Sequence, residues 1–157
     1  MKEINKIGRN TEKSNEPAIL LNDLLAEYSK FYQNVRGNHW NIQGDKFFEL
    51  HSKFEELYND LFHKIDEVAE HILTLGFMPN YTLMYYLKTA KIKESDQSID
   101  GHTSVQEING SLQILLSKQR VLLDKSGALN DAGTNVLVND YISAQEKLIW
   151  MYSAYLK

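Results

Sequence analysis

Helical periodicity, almost uninterrupted by proline, is the feature that most restricts how this chain can fold. Only two of its 157 residues are proline, Pro17 and Pro79, and proline interrupts a helix more strongly than any other residue. Apolar side chains recur at the spacing of one helix face over four long stretches. These stretches are residues 18–42, 46–75, 103–125 and 131–155. Four long helices predict an all-α four-helix bundle.

The remaining segments connect or precede these helices. Residues 1–16 are polar and aperiodic, which predicts a flexible N-terminal tail followed by one bundle domain over 17–157. Residues 81–88 predict a short extra helix between the second and third helices, and 93–102 predict a loop. Thr103 with Gln106 resembles a capping box. Gly127 is expected to end the third helix, and Asp131 to cap the fourth.

Composition excludes several classes of function. The chain has no cysteine, so a metal must be held by histidine and carboxylate, ligands that suit iron, manganese or zinc. The net charge of −4 argues against a general nucleic-acid binder. The N-terminus lacks the apolar run of a signal peptide, and no stretch is apolar for long enough to cross a membrane. We therefore expect a cytoplasmic protein without membrane contact.

The second helix carries three different stripes of side chains. An apolar stripe is expected to face the core: Phe47, Phe54, Leu57, Leu61, Ile65, Val68 and Ile72. A charged stripe nearly opposite is expected to face solvent: Glu49, Lys53, Glu56, Asp60, Lys64, Glu67 and His71. The third stripe mixes possible metal ligands with apolar residues: His51, Glu55, Asp66 and Glu70 with Phe62, Ala69 and Leu73. A mixed stripe of this kind favours a buried interface over a free surface.

The spacing of the possible ligands predicts a site shared by two chains. His51 and Glu55 are one helical turn apart, and so are Asp66 and Glu70. Asp66 lies about 16 Å along the helix from Glu55, although it is only about 20° around the axis. The two pairs cannot reach one metal ion within a chain. An antiparallel second copy, related by a two-fold axis near residues 59–61, would bring them together.

Less specific explanations exist for each residue taken alone. A single histidine such as His39, on an apolar helix face, is more often a hydrogen-bonded core residue than a ligand. Carboxylates spaced like Asp66 and Glu70 are usually solvated. Trp40, next to His39, could pack an interface or be oxidised sacrificially. The combination favours a ferrous iron site, because histidine and carboxylate ligands leave positions open for an oxidant. A di-iron site inside one bundle is not predicted, because no Glu-x-x-His pair is present.

Residues 34–71, NVRGNHWNIQGDKFFELHSKFEELYNDLFHKIDEVAEH, resemble the signature region of the Dps proteins, the DNA-binding proteins from starved cells. The shared elements are His39-Trp40, Gly44, Phe47, His51, the acid at 55, Asp66 and Ala69-Glu70. The bundle pattern and the segment from Asp131 to Met151 extend the resemblance over nearly the whole chain. It implies a ferritin-like four-helix bundle that assembles into a hollow dodecamer.

The resemblance also implies an activity and its residues. His39, His51 and Glu55 of one subunit, with Asp66 and Glu70 of its mate, would bind iron at the two-fold interface. There Fe(II) would be oxidised to Fe(III), usually with hydrogen peroxide, and stored as ferric mineral, which protects DNA. Zinc or manganese could substitute for iron. A nucleoid DNA-binding protein with a minor iron role remains the alternative.

Two departures from the Dps pattern and a weakly charged tail bear on the remaining family properties. His71 stands where many relatives have arginine, and Val136 where many have an acid that lines a three-fold pore. Asp131, Asp140 and Glu146 remain candidate pore carboxylates. Alternatively, Asp131 is a helix cap and the other two are solvated residues.

The predicted tail has a net charge of only +1. It carries four cations, Lys2, Lys6, Arg9 and Lys13, against three anions, Glu3, Glu12 and Glu16. We therefore expect DNA binding to be weak or absent.

Overall fold

The computed structural model describes residues 3–95 and 100–157, and within them the regular structure is entirely helical. There are five helices: α1 (Thr11–Asn41), α2 (Phe47–Thr74), α3 (Leu83–Thr89), α4 (Gly101–Ala128) and α5 (Ala132–Tyr155). The predicted all-α bundle, with a short extra helix between the second and third long helices, is confirmed. In the described part of the chain no helix is both long and apolar enough to span a membrane.

The four long helices pack as two pairs. Short connections join α1 to α2 and α4 to α5, and the two helices of each pair pack side by side. The pairs meet where α1 packs against α4, and α3 packs on α1. Apolar side chains from all four long helices form one core, in which Phe31, Phe54 and Leu61 are almost completely buried. Burial of these apolar side chains is the main contribution to the stability of the bundle.

The first helix begins earlier than predicted, at Thr11 instead of near residue 18. The side chain of Asn10 accepts a hydrogen bond from the backbone N–H of Lys13 at 3.0 Å and caps the helix. Pro17 lies inside the helix and is buried. Packing of the first turns of α1 against the bundle outweighs the backbone hydrogen bond that Pro17 cannot donate. The expectation that a helix begins after a proline takes no account of such packing.

The predicted tail is correspondingly wrong for residues 11–16, which are helical. Residues 3–10 fold back onto the bundle. Asn5 Nδ2 donates to the carbonyl oxygen of Leu75 at 3.0 Å, and Arg9 pairs with the carboxylate of Asp131 at 3.4 Å. Residues 1 and 2 lie outside the described residues, and so do residues 96–99 of the predicted loop.

Two further helix ends differ from prediction. The cap of α4 is Asp100, whose carboxylate accepts from the backbone N–H of Thr103 at 2.8 Å, so Thr103 is inside the helix and not its cap. Gly127 also lies within a helix, and the chain turns instead at Asn130, in the left-handed region with φ 52°. Asp131 caps α5 as predicted, accepting from the backbone N–H of Thr134 at 3.2 Å.

Three residues of the charged stripe of α2 are less exposed than predicted: Lys64, His71 and, partly covered where it pairs with Lys64, Asp60. Lys64 is buried, because its stem packs inside the bundle while its ammonium pairs with Asp60 and lies 5.2 Å from the ring centre of Tyr141. His71 is half-buried and contacts the start of α5. The side-chain types of Lys64 and His71 alone predicted exposure to solvent. In the structure, contacts with other residues satisfy the polar groups of both side chains.

Candidate metal site at the face of α1 and α2

The site begins at the turn that joins α1 to α2. Gly44 adopts φ +102°, a backbone conformation that residues other than glycine rarely adopt. The chain reverses at this turn, so that α2 runs back along α1. This reversal places His39, in the last turn of α1, against His51, in the second turn of α2. The two imidazole rings stack, with ring centres 3.8 Å apart.

A reciprocal pair of hydrogen bonds locks the two histidines. His39 Nδ1 lies 2.7 Å from the carbonyl oxygen of His51, and His51 Nδ1 lies 2.8 Å from the carbonyl oxygen of His39. A carbonyl can only accept, so each Nδ1 must carry a proton and donate it. In neutral imidazoles the lone pair is then on Nε2. Both rings are held in the tautomer that presents Nε2 to a metal ion.

Aromatic rings support this histidine pair. The ring of Phe47 stacks on His51 with centres 5.0 Å apart, and the ring of Tyr58 packs edge-on against His39 at 5.3 Å. Tyr58 was missed by the sequence analysis. It lies seven residues after His51, which puts it about 20° away around the helix, so its place on the ligand face could have been read from the spacing.

The carboxylates extend outward from this face. Glu55 is exposed one turn after His51, and Asp66 and Glu70 are exposed further along α2. About 16 Å of helix separates Glu55 from Asp66. Within residues 3–95 and 100–157, no group of three or more His, Cys, Asp or Glu side chains of a single chain could hold a metal ion. Each chain therefore presents two separate halves of a ligand set on one helix face.

Exposed apolar side chains lie on the same helix as these halves. Phe62, between the two halves, is 56% exposed, and Leu73, just beyond Glu70, is 58% exposed. Phe62 belongs to a groove that also includes side chains of α1 and α3. The apolar residues lining this groove are Tyr32, Phe62, Ile65, Leu83, Tyr86 and Leu87. Such a patch beside exposed carboxylates is typical of a surface that is covered by a partner.

The three candidate pore carboxylates have different environments. Asp131 is buried, caps α5 and pairs with Arg9, so its side chain is occupied in holding the fold. Glu146 pairs with Arg120 at 2.8 Å. Asp140 is exposed, and Val136, in the first turns of α5, is 60% exposed.

His71 takes part in the same network as Asp131. Its Nε2 lies 2.8 Å from the hydroxyl oxygen of Thr134, and that hydroxyl donates to Asp131 Oδ2 at 2.7 Å. Burial lowers the pKa of His71, while the nearby Asp131 carboxylate partly opposes this and Arg9 adds to it. His71 therefore links the end of α2 to the start of α5 without carrying a permanent charge.

Comparisons with known proteins agree on one family. The family model for the ferritin-like domain matches residues 19–157. The DPS protein of Vibrio cholerae O1, described as a member of a broad superfamily of ferritin-like diiron-carboxylate proteins, is 53% identical, with a TM-score of 0.97 over 100% of this chain and 98% of that one. The DNA protection during starvation protein of Porphyromonas gingivalis is 40% identical over 99% of this chain and 98% of its own length. A Dps protein from Bacillus brevis is 32% identical, with a TM-score of 0.90 over 93% of this chain and 98% of that one.

Proposed function

Because this chain belongs to the Dps family of ferritin-like proteins, we propose that it is a ferroxidase that oxidises Fe(II) at inter-subunit sites and stores the ferric product. Iron is then the substrate and the stored cargo. The observation that carries the proposal is the locked histidine pair, His39 and His51, whose Nε2 atoms are both available on a face that also carries carboxylates.

The ligand set proposed for each site comes from two chains. His39, His51 and Glu55 of one subunit would act with Asp66 and Glu70 of a two-fold mate. Three observations support this assignment: the exposed carboxylates, the separation along α2, and the exposed apolar side chains on the same helix. We further propose that the two-fold pairs assemble into a homo-dodecamer, as the resemblance implies. Zinc or manganese would compete for the same nitrogen and oxygen ligands.

The proposed chemistry uses two Fe(II) ions for each peroxide molecule. Each Fe(II) gives one electron and becomes Fe(III), the O–O bond of hydrogen peroxide breaks, and two H+ taken up from the solvent complete two water molecules. Carboxylates favour this change because a hard oxygen anion stabilises the extra positive charge of Fe(III). We propose peroxide as the main oxidant and oxygen as the slower one. Removing Fe(II) and peroxide together would protect DNA, and we propose that the protein does this in the cytoplasm.

A nucleoid protein that coats DNA is the second candidate, and it receives less support. Arg9 is held by Asp131 and by the carbonyl oxygen of Asn130 at 3.1 Å, and Lys13 lies in the first turns of α1. The fold thus occupies Arg9, and the three acidic residues among 1–16 leave the segment little net positive charge to displace counterions from DNA. The overall net charge of −4 also opposes approach to phosphate.

Stopped-flow absorbance of Fe(II) oxidation, with peroxide and oxygen compared, tests the proposal. Glu55→Gln is expected to slow peroxide-driven oxidation severely, because it removes a proposed ligand charge. Glu56→Gln is the matched control: it is the next residue, is also exposed, and pairs with Lys53 instead of facing the histidines. Equal rates in the two variants, or no faster oxidation with wild type than in buffer, would contradict a ferroxidase site on this face.

A further inference from the structure

Arg36, near the end of α1, is an arginine without a carboxylate partner in its own chain. The chain has three arginines, of which Arg9 pairs with Asp131 and Arg120 with Glu146. Arg36 makes no ion pair within residues 3–95 and 100–157. No acid in this part of the chain therefore compensates its positive charge.

Two aromatic rings hold the guanidinium group of Arg36 in place. Its central carbon is 5.2 Å from the ring centre of Tyr32, one turn earlier on α1, and 4.7 Å from that of Trp40, one turn later. Stacking of this kind uses the flat faces of a guanidinium and not its N–H edge. In the described part of the chain, that edge makes one long hydrogen bond, from Nη1 to Gln33 Oε1 at 3.5 Å. Most of its donors are therefore available to a ligand.

This held cation lies beside the proposed iron ligands. Arg36 is one helical turn before His39, and the ring of Tyr32 is 6.1 Å from that of Tyr58, which packs on His39. Gly37 follows Arg36, and a Cβ atom added there would have nothing within 4 Å. Glycine is unfavourable inside a helix, and these neighbours do not require it. The surface next to Arg36 is therefore open enough for a ligand.

The ferric product of the proposed reaction needs anions from solution. A filled site would contain two Fe(III) ions, with six positive charges between them. Glu55, Asp66 and Glu70 would supply three negative charges, and a metal-bound imidazole is neutral. A further cation such as Arg36 increases this excess unless it brings an anion with it. An oxyanion between Arg36 and the iron would offset both charges.

We propose that Arg36 binds inorganic phosphate beside the iron site and supplies it to the ferric product; this role rests on the proposed ferroxidase function. The planar fork of N–H donors matches two phosphate oxygens. A third oxygen is then free to replace a water molecule bound to Fe(III), a hard cation that prefers oxygen ligands. In this exchange one iron–water bond breaks, one iron–phosphate bond forms, and no electron is transferred.

Isothermal titration calorimetry with inorganic phosphate on the intact metal-free assembly tests the binding. Wild type is expected to bind one phosphate per subunit. Arg36→Gln should weaken this binding by about tenfold or more, because hydrogen bonds from a charged donor are lost. Arg120→Gln is the matched control: it removes the same charge from an arginine that already pairs with Glu146, and it should bind phosphate as wild type does. Equal affinity in all three proteins, or no binding by wild type, would overturn the proposal.

A lysine variant keeps the test decisive if Arg36 instead contacts a neighbouring subunit. Arg36→Lys retains the charge but not the planar pair of donors. Its assembly should stay intact by light scattering, and its phosphate affinity should be lower than that of wild type. Dissociation of both Arg36 variants into smaller species would show that Arg36 holds a carboxylate of a partner subunit, and the phosphate proposal would be wrong.

An assembly loaded with Zn(II) connects phosphate to the metal site without any redox chemistry. Free Zn(II) is removed by gel filtration before the titration. The bound ion adds positive charge near Arg36, so the phosphate affinity of wild type should rise, and Arg36→Gln should stay weaker than wild type. Equal phosphate affinity in the two loaded proteins would show that phosphate contacts the metal ion alone, which contradicts the role of Arg36.

The readouts separate this inference from the proposed function. Phosphate binding that depends on Arg36, without Fe(II) oxidation by wild type, would remove the ferroxidase function and the role in the ferric product. Fe(II) oxidation without phosphate binding at Arg36 would leave the ferroxidase function and remove this inference. If both hold, assemblies oxidised in phosphate and then gel-filtered should retain less phosphate per iron with Arg36→Gln than with wild type or Arg120→Gln.

Discussion

Two inactive variants of this chain should restore activity when they assemble together. Asp66→Asn and His51→Ala each remove a proposed ligand, but from opposite halves of the site. In a two-fold dimer of one Asp66→Asn chain and one His51→Ala chain, one site contains both lesions and the other contains neither. Each homo-oligomer is expected to be nearly inactive, and each mixed dimer should regain one functional site.

The structure sets the expected magnitude. His51 and Asp66 are separated by fifteen residues of α2, which corresponds to about 22 Å along the helix axis. This distance is too long for both residues to bind one ion, so their lesions fall in different sites. Obligate mixed dimers should recover about half of wild-type activity, and random equimolar co-assembly about a quarter, because half of the dimers formed are mixed.

The assay is peroxide-driven Fe(II) oxidation by assemblies unfolded together, refolded together and verified as mixed by differential tags. A same-half pair provides the control: His51→Ala mixed with Glu55→Gln should not recover, because both residues belong to the same half and every site then contains one lesion. If verified mixtures of Asp66→Asn and His51→Ala stay inactive, the inter-subunit mechanism is refuted, even if the protein binds iron.

Four further predictions follow from the fold and its charges. Light scattering should give a closed oligomer containing two-fold axes, with the mass of a dodecamer; a stable monomer at micromolar concentration would contradict the shared site. Gel retardation at ~150 mM salt should show little or no DNA binding, and deleting residues 1–16 should not change this result. Asp131→Ala should lower the free energy of unfolding by about 2 kcal/mol, because it removes a helix cap and the partner of Arg9. Asp124 is exposed, so Asp124→Ala should change the free energy of unfolding by less than about 0.5 kcal/mol. Denaturant titration measures both values. Burial, together with the charge of Glu56, raises the pKa of Tyr152 to about 12 from about 10 in the unfolded chain. The stability that the neutral Tyr152 phenol contributes is therefore complete below pH 10 and is lost as the pH rises towards 12. Tyr152→Phe should lose less stability than wild type over this alkaline range, as measured by denaturant titration.

The long helices were predictable because periodicity along one chain is a local property. Phe54, Leu57, Leu61, Val68 and Ile72 repeat at helical spacing and are buried as predicted. The end of α2, near Gly76, and the cap at Asp131 were also readable from local residue types. Helix ends decided by distant contacts were not. The start of α1 depends on contacts of residues 3–16 with the ends of α2 and α4 and with the start of α5, and no local rule describes those contacts.

The sequence by itself determined the helical class, the family resemblance and the set of possible ligands, because residue type and spacing along a helix are sufficient for all three. It also predicted that the two halves of the set are too far apart to meet in one chain, since helix rise is constant. Only the tertiary structure decided the histidine tautomers, the folded-back N-terminal segment and the contact between Tyr58 and His39. Each depends on which backbone carbonyl, carboxylate or ring another helix brings within hydrogen-bonding or van der Waals distance, and that proximity is a property of the packed fold.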